Sequence, residues 1–142
     1  MVRIDLVREK IRRLRGTLAM LARIVPADAS QLDDRDKIDL VAFRVYLVVQ
    51  ESVDVASHII ADEGWGPAPS LRDHFAILEQ RGVLDAALAK ELSSSVKVRN
   101  VIAHGYTDVD VTKLHEAARE LATIAERFCA SILRWAEASV AG

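Results

Sequence analysis

Apolar residues recur every three or four positions along most of the chain, which is the spacing of one face of an α-helix. The first segment carries the longest run of this kind and ends at the turn Pro26-Ala27-Asp28. Its apolar positions are Ile4, Val7, Ile11, Leu14, Leu18, Leu21 and Val25. We therefore predict a long first helix that buries this stripe.

The same periodicity predicts four further helices, with breakers between them. They run from the acidic stretch 30–36 to about Asp62, from Leu71 to Gln80, from near Leu84 to His104, and from the N-cap Asp110 onwards. Gly105 is the predicted left-handed terminator of the fourth helix. No strand alternation is present. The pattern favours an all-α antiparallel bundle of four long helices and one short helix, forming a single domain over residues 1–142.

Composition narrows the class of protein. The chain is 51% hydrophobic but only 5% aromatic, which predicts an aliphatic core, and its net charge of −2 argues against general coating of nucleic acid. Any RNA contact should therefore be local. A basic patch of Arg8, Arg12 and Arg15 on the first helix is interpreted as a solvated face, with RNA or partner docking as the alternative.

The single cysteine, Cys129, excludes an internal disulfide and is interpreted as a small core residue. No uncharged run approaches the roughly 20 residues of a membrane span. The N-terminal segment lacks the apolar core of a signal peptide. We therefore expect a cytoplasmic protein.

One short stretch, RNVIAHGY from Arg99 to Tyr106, combines polar residues that suit acid–base chemistry. Asn100 is the only asparagine of the chain, and Tyr106 is one of two tyrosines. Histidine titrates near neutrality and can act as acid or base, while arginine stays charged and matches phosphate oxygens. A plainer interpretation is a helix end with a dipole-compensating histidine and a surface arginine.

Metal-free cleavage of RNA by its own 2′-hydroxyl needs a base, an acid and positive charge near the phosphorane. On a helix, Asn100 and His104 share a face, whereas Arg99 lies about 100° away from Asn100. One chain supplies a single motif histidine. A homodimer with two copies of the motif across a two-fold axis would supply both proton-transfer groups.

The segment RNVIAHGY resembles the R-x4-H-x-Y signature of HepT-type HEPN ribonuclease toxins, the DUF86 family. The resemblance extends over roughly residues 34–135, through the helix AFRVYLVVQESVDVASHII, a proline-containing loop, a GVLD-like turn and the closing helix. It implies a HEPN bundle that dimerises with its motifs facing each other and cleaves RNA without metal or other cofactor. It also implies a partner, a minimal nucleotidyltransferase antitoxin of the MntA type.

The same resemblance implies roles for individual residues. Arg99 and His104 would be catalytic, Asn100 would support them, and Tyr106 would be the hydroxyl to which the antitoxin transfers AMP. An adenylate at Tyr106 would place bulk and negative charge where RNA phosphate must lie.

Several further positions have two interpretations. Arg44, Glu51, Asp54 and His58 form a stripe on the second helix, either a second wall of the site, with Arg44 gripping phosphate, or an intrahelical salt-bridge ladder. His74 and His115 are predicted to lie at the surface. Trp65 is either a loop plug or an exposed partner anchor, and Trp135 is interpreted as core packing.

Two other functions fit the same sequence. The chain could be a non-catalytic binding subunit of a nucleotidyltransferase pair, in a substrate-binding or antitoxin role. It could also be a structural interaction protein whose motif only caps a dimer interface. Growth arrest on expression separates the toxin from the binding subunit. In the structural protein, Arg99→Ala would disturb oligomerisation with no RNA-cleaving activity to lose.

Overall fold

Five α-helices and one short 3₁₀ turn make up the computed structural model, which describes residues 1–105 and 110–142. The elements are α1 (Ile4–Ile24), a 3₁₀ turn (Ala29–Gln31), α2 (Arg35–Glu63), α3 (Leu71–Gln80), α4 (Ala86–Ala103) and α5 (Val111–Ala141). Each described element is helical. The prediction of an all-α bundle with four long helices and one short helix is confirmed.

Helices α2 to α5 begin where a short polar side chain accepts a hydrogen bond from a free backbone N–H group of the first turn. The carboxylates of Asp34, Asp85 and Asp110 accept hydrogen bonds from backbone N–H groups two or three residues later, at N-caps of α2, α4 and α5. Such a cap stabilises a helix by about 1 kcal/mol. The predicted cap at Asp110 is confirmed, and the fourth helix begins two residues later than predicted because Asp85 is its cap.

The helices pack around one hydrophobic core, with α2 in contact with each of the other four. The stripes predicted from the sequence face inwards, and full burial of each large aliphatic side chain contributes about 1.5–3 kcal/mol. Phe75 of α3 and Phe128 of α5 meet edge to face with ring centroids 5.9 Å apart, which joins the short helix to the bundle.

Two predictions about individual side chains are resolved by this packing. Trp65 is half-buried, with its ring centroid 5.6 Å from that of Trp135 and the Arg81 guanidinium 5.3 Å from it, so Trp65 plugs the loop after α2. Burial raises the pKa of the Cys129 thiol to about 12, in agreement with its interpretation as a core residue.

The prediction that His115 lies at the surface is wrong. Its side chain is buried in the first part of α5, and its Nε2 lies 2.7 Å from the carbonyl oxygen of Pro26. The imidazole thus ties α5 to the end of α1, a long-range contact that the local sequence did not reveal. His74 is half-buried, with Nδ1 2.9 Å from the Ser70 carbonyl oxygen.

Within residues 1–105 and 110–142, no helix combines the length and the apolar character needed to cross a membrane.

Candidate active site at the end of the fourth helix

The polar motif occupies the last turn of α4 and the residues that end the helix. His104 is the C-cap, and its backbone N–H donates to the Asn100 carbonyl 3.1 Å away. Gly105 follows with φ +92°, a left-handed conformation that glycine adopts without strain, as predicted. The chain therefore leaves the helix directly after His104, and the imidazole is exposed at its tip.

Arg99 lies one turn earlier and is directed across the bundle towards α2. Its Nη2 donates to the hydroxyl oxygen of Tyr46 and to Oε1 of Gln50, each at 3.0 Å. The guanidinium carbon also lies 4.7 Å from the centroid of the Tyr46 ring, within the range of a cation–π contact. The catalytic arginine predicted from the motif is thus half-buried and held by two residues of another helix.

Asn100 is exposed, and its Oδ1 accepts a hydrogen bond from Nη1 of Arg99 at 3.3 Å. The sequence left two roles open for this amide, orienting the imidazole or binding a phosphate oxygen. In the chain as described, the amide oxygen contacts Arg99, and its NH₂ group makes no hydrogen bond to another described residue. An amide NH₂ group can donate to an acceptor such as a phosphate oxygen.

Tyr106, the predicted site of AMP transfer, lies outside the described residues. Its role stays a prediction.

Arg44, predicted as a second wall of the site, lies elsewhere on α2. Its guanidinium carbon is 5.7 Å from the ring centroid of the neighbouring Phe43. On the helix, Arg44 is about 160° from Tyr46, on the side where Glu51 accepts a hydrogen bond from Thr17 of α1. We name Arg99, Tyr46 and Gln50 the Arg99 cluster. In the described chain Arg44 makes no contact with this cluster, and its supporting role stays a prediction.

The other members of the Arg44 stripe do not form an intrahelical ladder with one another. His58 pairs with Asp62 at 3.2 Å, and Asp54 accepts from Gln50 at 3.2 Å. Burial lowers the pKa of His58, and the Arg3 guanidinium lowers the pKa of Asp62. Asp62 also accepts hydrogen bonds from Arg3 and so holds the N-terminal residues against α2, and of the stripe only Asp54 adjoins the site.

Tyr46 and Gln50 are the wall residues that the sequence analysis missed. They are four positions apart on α2 and so share a face. The signal was present in the sequence, since Tyr46 is the only tyrosine besides the one in the motif. What the sequence alone could not reveal is that this face of α2 lies against Arg99.

The three arginines of the predicted basic patch are each paired with a carboxylate. Arg8 lies 3.6 Å from Glu137, Arg12 lies 2.6 Å from Glu9, and Arg15 lies 2.7 Å from Glu126. These pairs neutralise most of the positive charge of the patch, which supports the interpretation as a solvated face.

A partly exposed apolar stripe on α2 adjoins the Arg99 cluster. Leu40, Phe43 and Leu47 are spaced by three and four residues, and Gln50 continues the same line. Phe43 is 52% exposed and Leu40 is 43% exposed, although both are large and apolar. We name Leu40, Phe43 and Leu47 the α2 stripe. Gln50 follows the stripe on the same face of α2, so a protein that binds to the stripe also lies next to the site.

Histidine, cysteine and carboxylate side chains of the described ranges form no cluster of three or more that could hold a metal ion. The arginine, asparagine and histidine of the motif provide fixed positive charge, hydrogen-bond donors and an imidazole that can donate or accept a proton. Such a set suits a phosphate ester and proton transfer.

The fold and this arrangement define a class of protein, all-helical bundles with an arginine and a histidine spaced as R-x4-H at the end of a helix. Residues 9–132 match the family model described as ribonuclease HepT-like. The chain belongs to this family.

Individual relatives agree with this assignment. The chain is 25% identical to the mRNA nuclease HepT of Shewanella oneidensis over 108 residues, 75% of this chain and 80% of the relative. Its fold resembles that of the tri-AMPylated Shewanella oneidensis HEPN toxin, solved in complex with an MNT antitoxin. That similarity has a TM-score of 0.81 at 23% identity and covers 93% of this chain and 98% of the toxin.

The cytosolic protein YutE of Bacillus subtilis, whose function is unknown, has the same fold. Its TM-score is 0.80 at 16% identity, over 97% of this chain and 93% of YutE. At this identity, the similarity shows only the shared fold.

Proposed function

We propose that the protein is a metal-independent endoribonuclease that acts as the toxin of a toxin–antitoxin pair. The observation that carries this proposal is the placement of a held guanidinium, Arg99, one turn before an exposed imidazole, His104, in a chain of the ribonuclease HepT-like family. The name of the Shewanella relative, an mRNA nuclease, supports RNA as substrate. We place the protein in the cytoplasm.

The chemistry follows from the residue types. A histidine removes the proton of a ribose 2′-hydroxyl, the oxygen attacks the adjacent phosphorus, and a second histidine protonates the departing 5′-oxygen. Arg99 stabilises the charge that accumulates on the phosphorane oxygens, and the NH₂ group of Asn100 donates to one of them. The products are a 2′,3′-cyclic phosphate, or the phosphate from its hydrolysis, and a free 5′-hydroxyl.

Each chain supplies one motif histidine, so a mechanism with two histidines requires two chains. We propose that the α2 stripe forms the contact between them. The exposed side chains of Leu40 and Phe43 and the half-buried side chain of Leu47 lie on the same line as Gln50, which holds Arg99. A two-fold axis near the stripe pairs it with its own copy. That arrangement brings the two Arg99 clusters towards each other and forms one composite site.

The experiment that tests the proposed activity uses the purified protein and a labelled RNA with and without EDTA. We expect equal cleavage rates in both conditions, with cyclic or terminal phosphate on the 5′ fragment. Cleavage that stops with EDTA and returns with a divalent ion would contradict the metal-independent mechanism. Normal growth on expression of an intact, soluble chain would instead favour the non-catalytic subunit.

We further propose that a cognate minimal nucleotidyltransferase silences the toxin by transferring AMP to Tyr106. The AMPylated Shewanella toxin, in complex with its MNT antitoxin, supports this regulation. Co-expression with the nucleotidyltransferase should add one or more increments of about 329 Da to a peptide containing Tyr106. Mass spectrometry of the digest checks this prediction, with Tyr106→Phe as the control. Neutralised toxicity with an unmodified Tyr106 peptide would show that the partner inhibits by binding alone.

A further inference from the structure

Two residues outside the motif, Tyr46 and Gln50, hold the guanidinium of Arg99. Each accepts a hydrogen bond of 3.0 Å from Nη2, and the Tyr46 ring lies 4.7 Å from the guanidinium carbon. The Nε–H group of Arg99 is buried and makes no hydrogen bond to any described residue. Helix α2 therefore contacts the guanidinium through the hydrogen bonds of Nη2 and through the Tyr46 ring.

The orientation of the Gln50 amide is itself fixed. Its oxygen faces Nη2 of Arg99, while its nitrogen donates to Oδ1 of Asp54 at 3.2 Å. A guanidinium can only donate, and an ionised carboxylate can only accept. Only one of the two amide orientations satisfies both neighbours, so Asp54 keeps the oxygen of Gln50 directed at Arg99.

Nη1 of Arg99 makes no hydrogen bond to α2. It carries two N–H donors, of which one contacts Asn100 at 3.3 Å. The second makes no hydrogen bond to a described residue, and in the proposed mechanism it donates to a phosphate oxygen of RNA. Because the side chain is already ordered by α2, RNA binding loses little further freedom of this long side chain, and the charge is in place when the phosphorane forms.

We propose that Tyr46 and Gln50 are positioning residues for RNA cleavage, acting through Arg99. This inference rests on the proposed nuclease function. Each residue orients the guanidinium for the transition state, where the phosphate carries its highest charge density. Loss of either contact should therefore lower kcat more than it raises KM.

The test uses two variants that keep shape and remove one acceptor each, Tyr46→Phe and Gln50→Met. We expect each to lower kcat about tenfold, since hydrogen bonds to charged groups are among the stronger ones, while KM changes less than about twofold. The pH–rate profile should keep its midpoints, because neither change adds or removes a charge near His104. Gln80→Met, at the exposed end of α3, is the matched control and should cleave as the parent does.

A double-mutant cycle shows whether the effect passes through Arg99. In an Arg99→Ala background, neither Tyr46→Phe nor Gln50→Met should reduce the rate further. Equal tenfold losses in both backgrounds would overturn the inference and indicate a separate role. Thermal unfolding of each variant separates a loss of folded protein from a loss of rate.

Side-chain NMR of Arg99 provides a readout that is independent of cleavage. In the parent we expect slow rotation of the guanidinium and distinct Nη resonances, which should coalesce in Tyr46→Phe and Gln50→Met. Full cleavage by variants in which Arg99 has become mobile would overturn the inference and leave the nuclease proposal intact. A parent that holds Arg99 rigidly but cuts no RNA would overturn the nuclease proposal and, with it, the role in cleavage.

Discussion

Replacement of His104 by alanine should lower the rate of RNA cleavage by about 10³-fold or more and abolish growth arrest. General acid–base catalysis contributes roughly 10²–10⁴-fold per step, and in a symmetric dimer this single substitution removes both proton-transfer groups. His104 is exposed at the end of α4, so its loss leaves no cavity and should not unfold the chain.

Two measurements check this expectation. Single-turnover cleavage of a labelled RNA gives the rate, and growth after induction gives the toxicity. His74→Ala is the matched control, because this half-buried histidine of α3 contacts only local backbone carbonyls in the described chain. A His104→Ala variant that cuts RNA as fast as the control would remove the imidazole from the mechanism and leave the motif as a helix cap.

The second large effect is expected from Phe43→Asp. In the proposed dimer, a carboxylate in the centre of the α2 stripe would be buried against its own symmetry mate, and two desolvated like charges oppose association strongly. We expect a monomer at micromolar concentration and a loss of cleavage of at least about 100-fold, because each monomer retains only one histidine of the composite site.

The oligomeric state is measured by analytical ultracentrifugation and the activity on the same sample. Val140→Asp is the matched control, since Val140 is 51% exposed and Phe43 is 52% exposed, but Val140 lies in the last turn of α5. Monomeric Phe43→Asp with full activity would contradict the composite site. A variant that stays dimeric would place the subunit contact on another surface.

Most of the fold could be predicted because its determinants are local. The apolar period of 3.6 residues identified each helix, and short polar caps such as Asp110 marked where helices begin. Gly105 marked where the motif helix ends, since a positive φ suits glycine. These signals act within a turn or two of the chain, so one sequence contains them in full.

What could not be predicted depends on which helix faces lie against each other. Arg99 and Tyr46 are 53 positions apart, and no local pattern states that they touch. The same reason explains the error at His115 and the position of Arg44. Arg44 is on the side of α2 opposite Tyr46, and His115 contacts Pro26 after the end of α1. Tertiary packing therefore determines the surroundings of both side chains.

The α2 stripe has a consequence for dosage. Only three apolar side chains per subunit are available there, so a dimer that depends on them should be weak and should dissociate on dilution. At low copy number the population of assembled pairs rises with the square of the amount of chain. Under the proposed function, freshly translated chains would remain monomeric and inactive until their synthesis outpaces their removal, so the cell would tolerate a low basal level of expression.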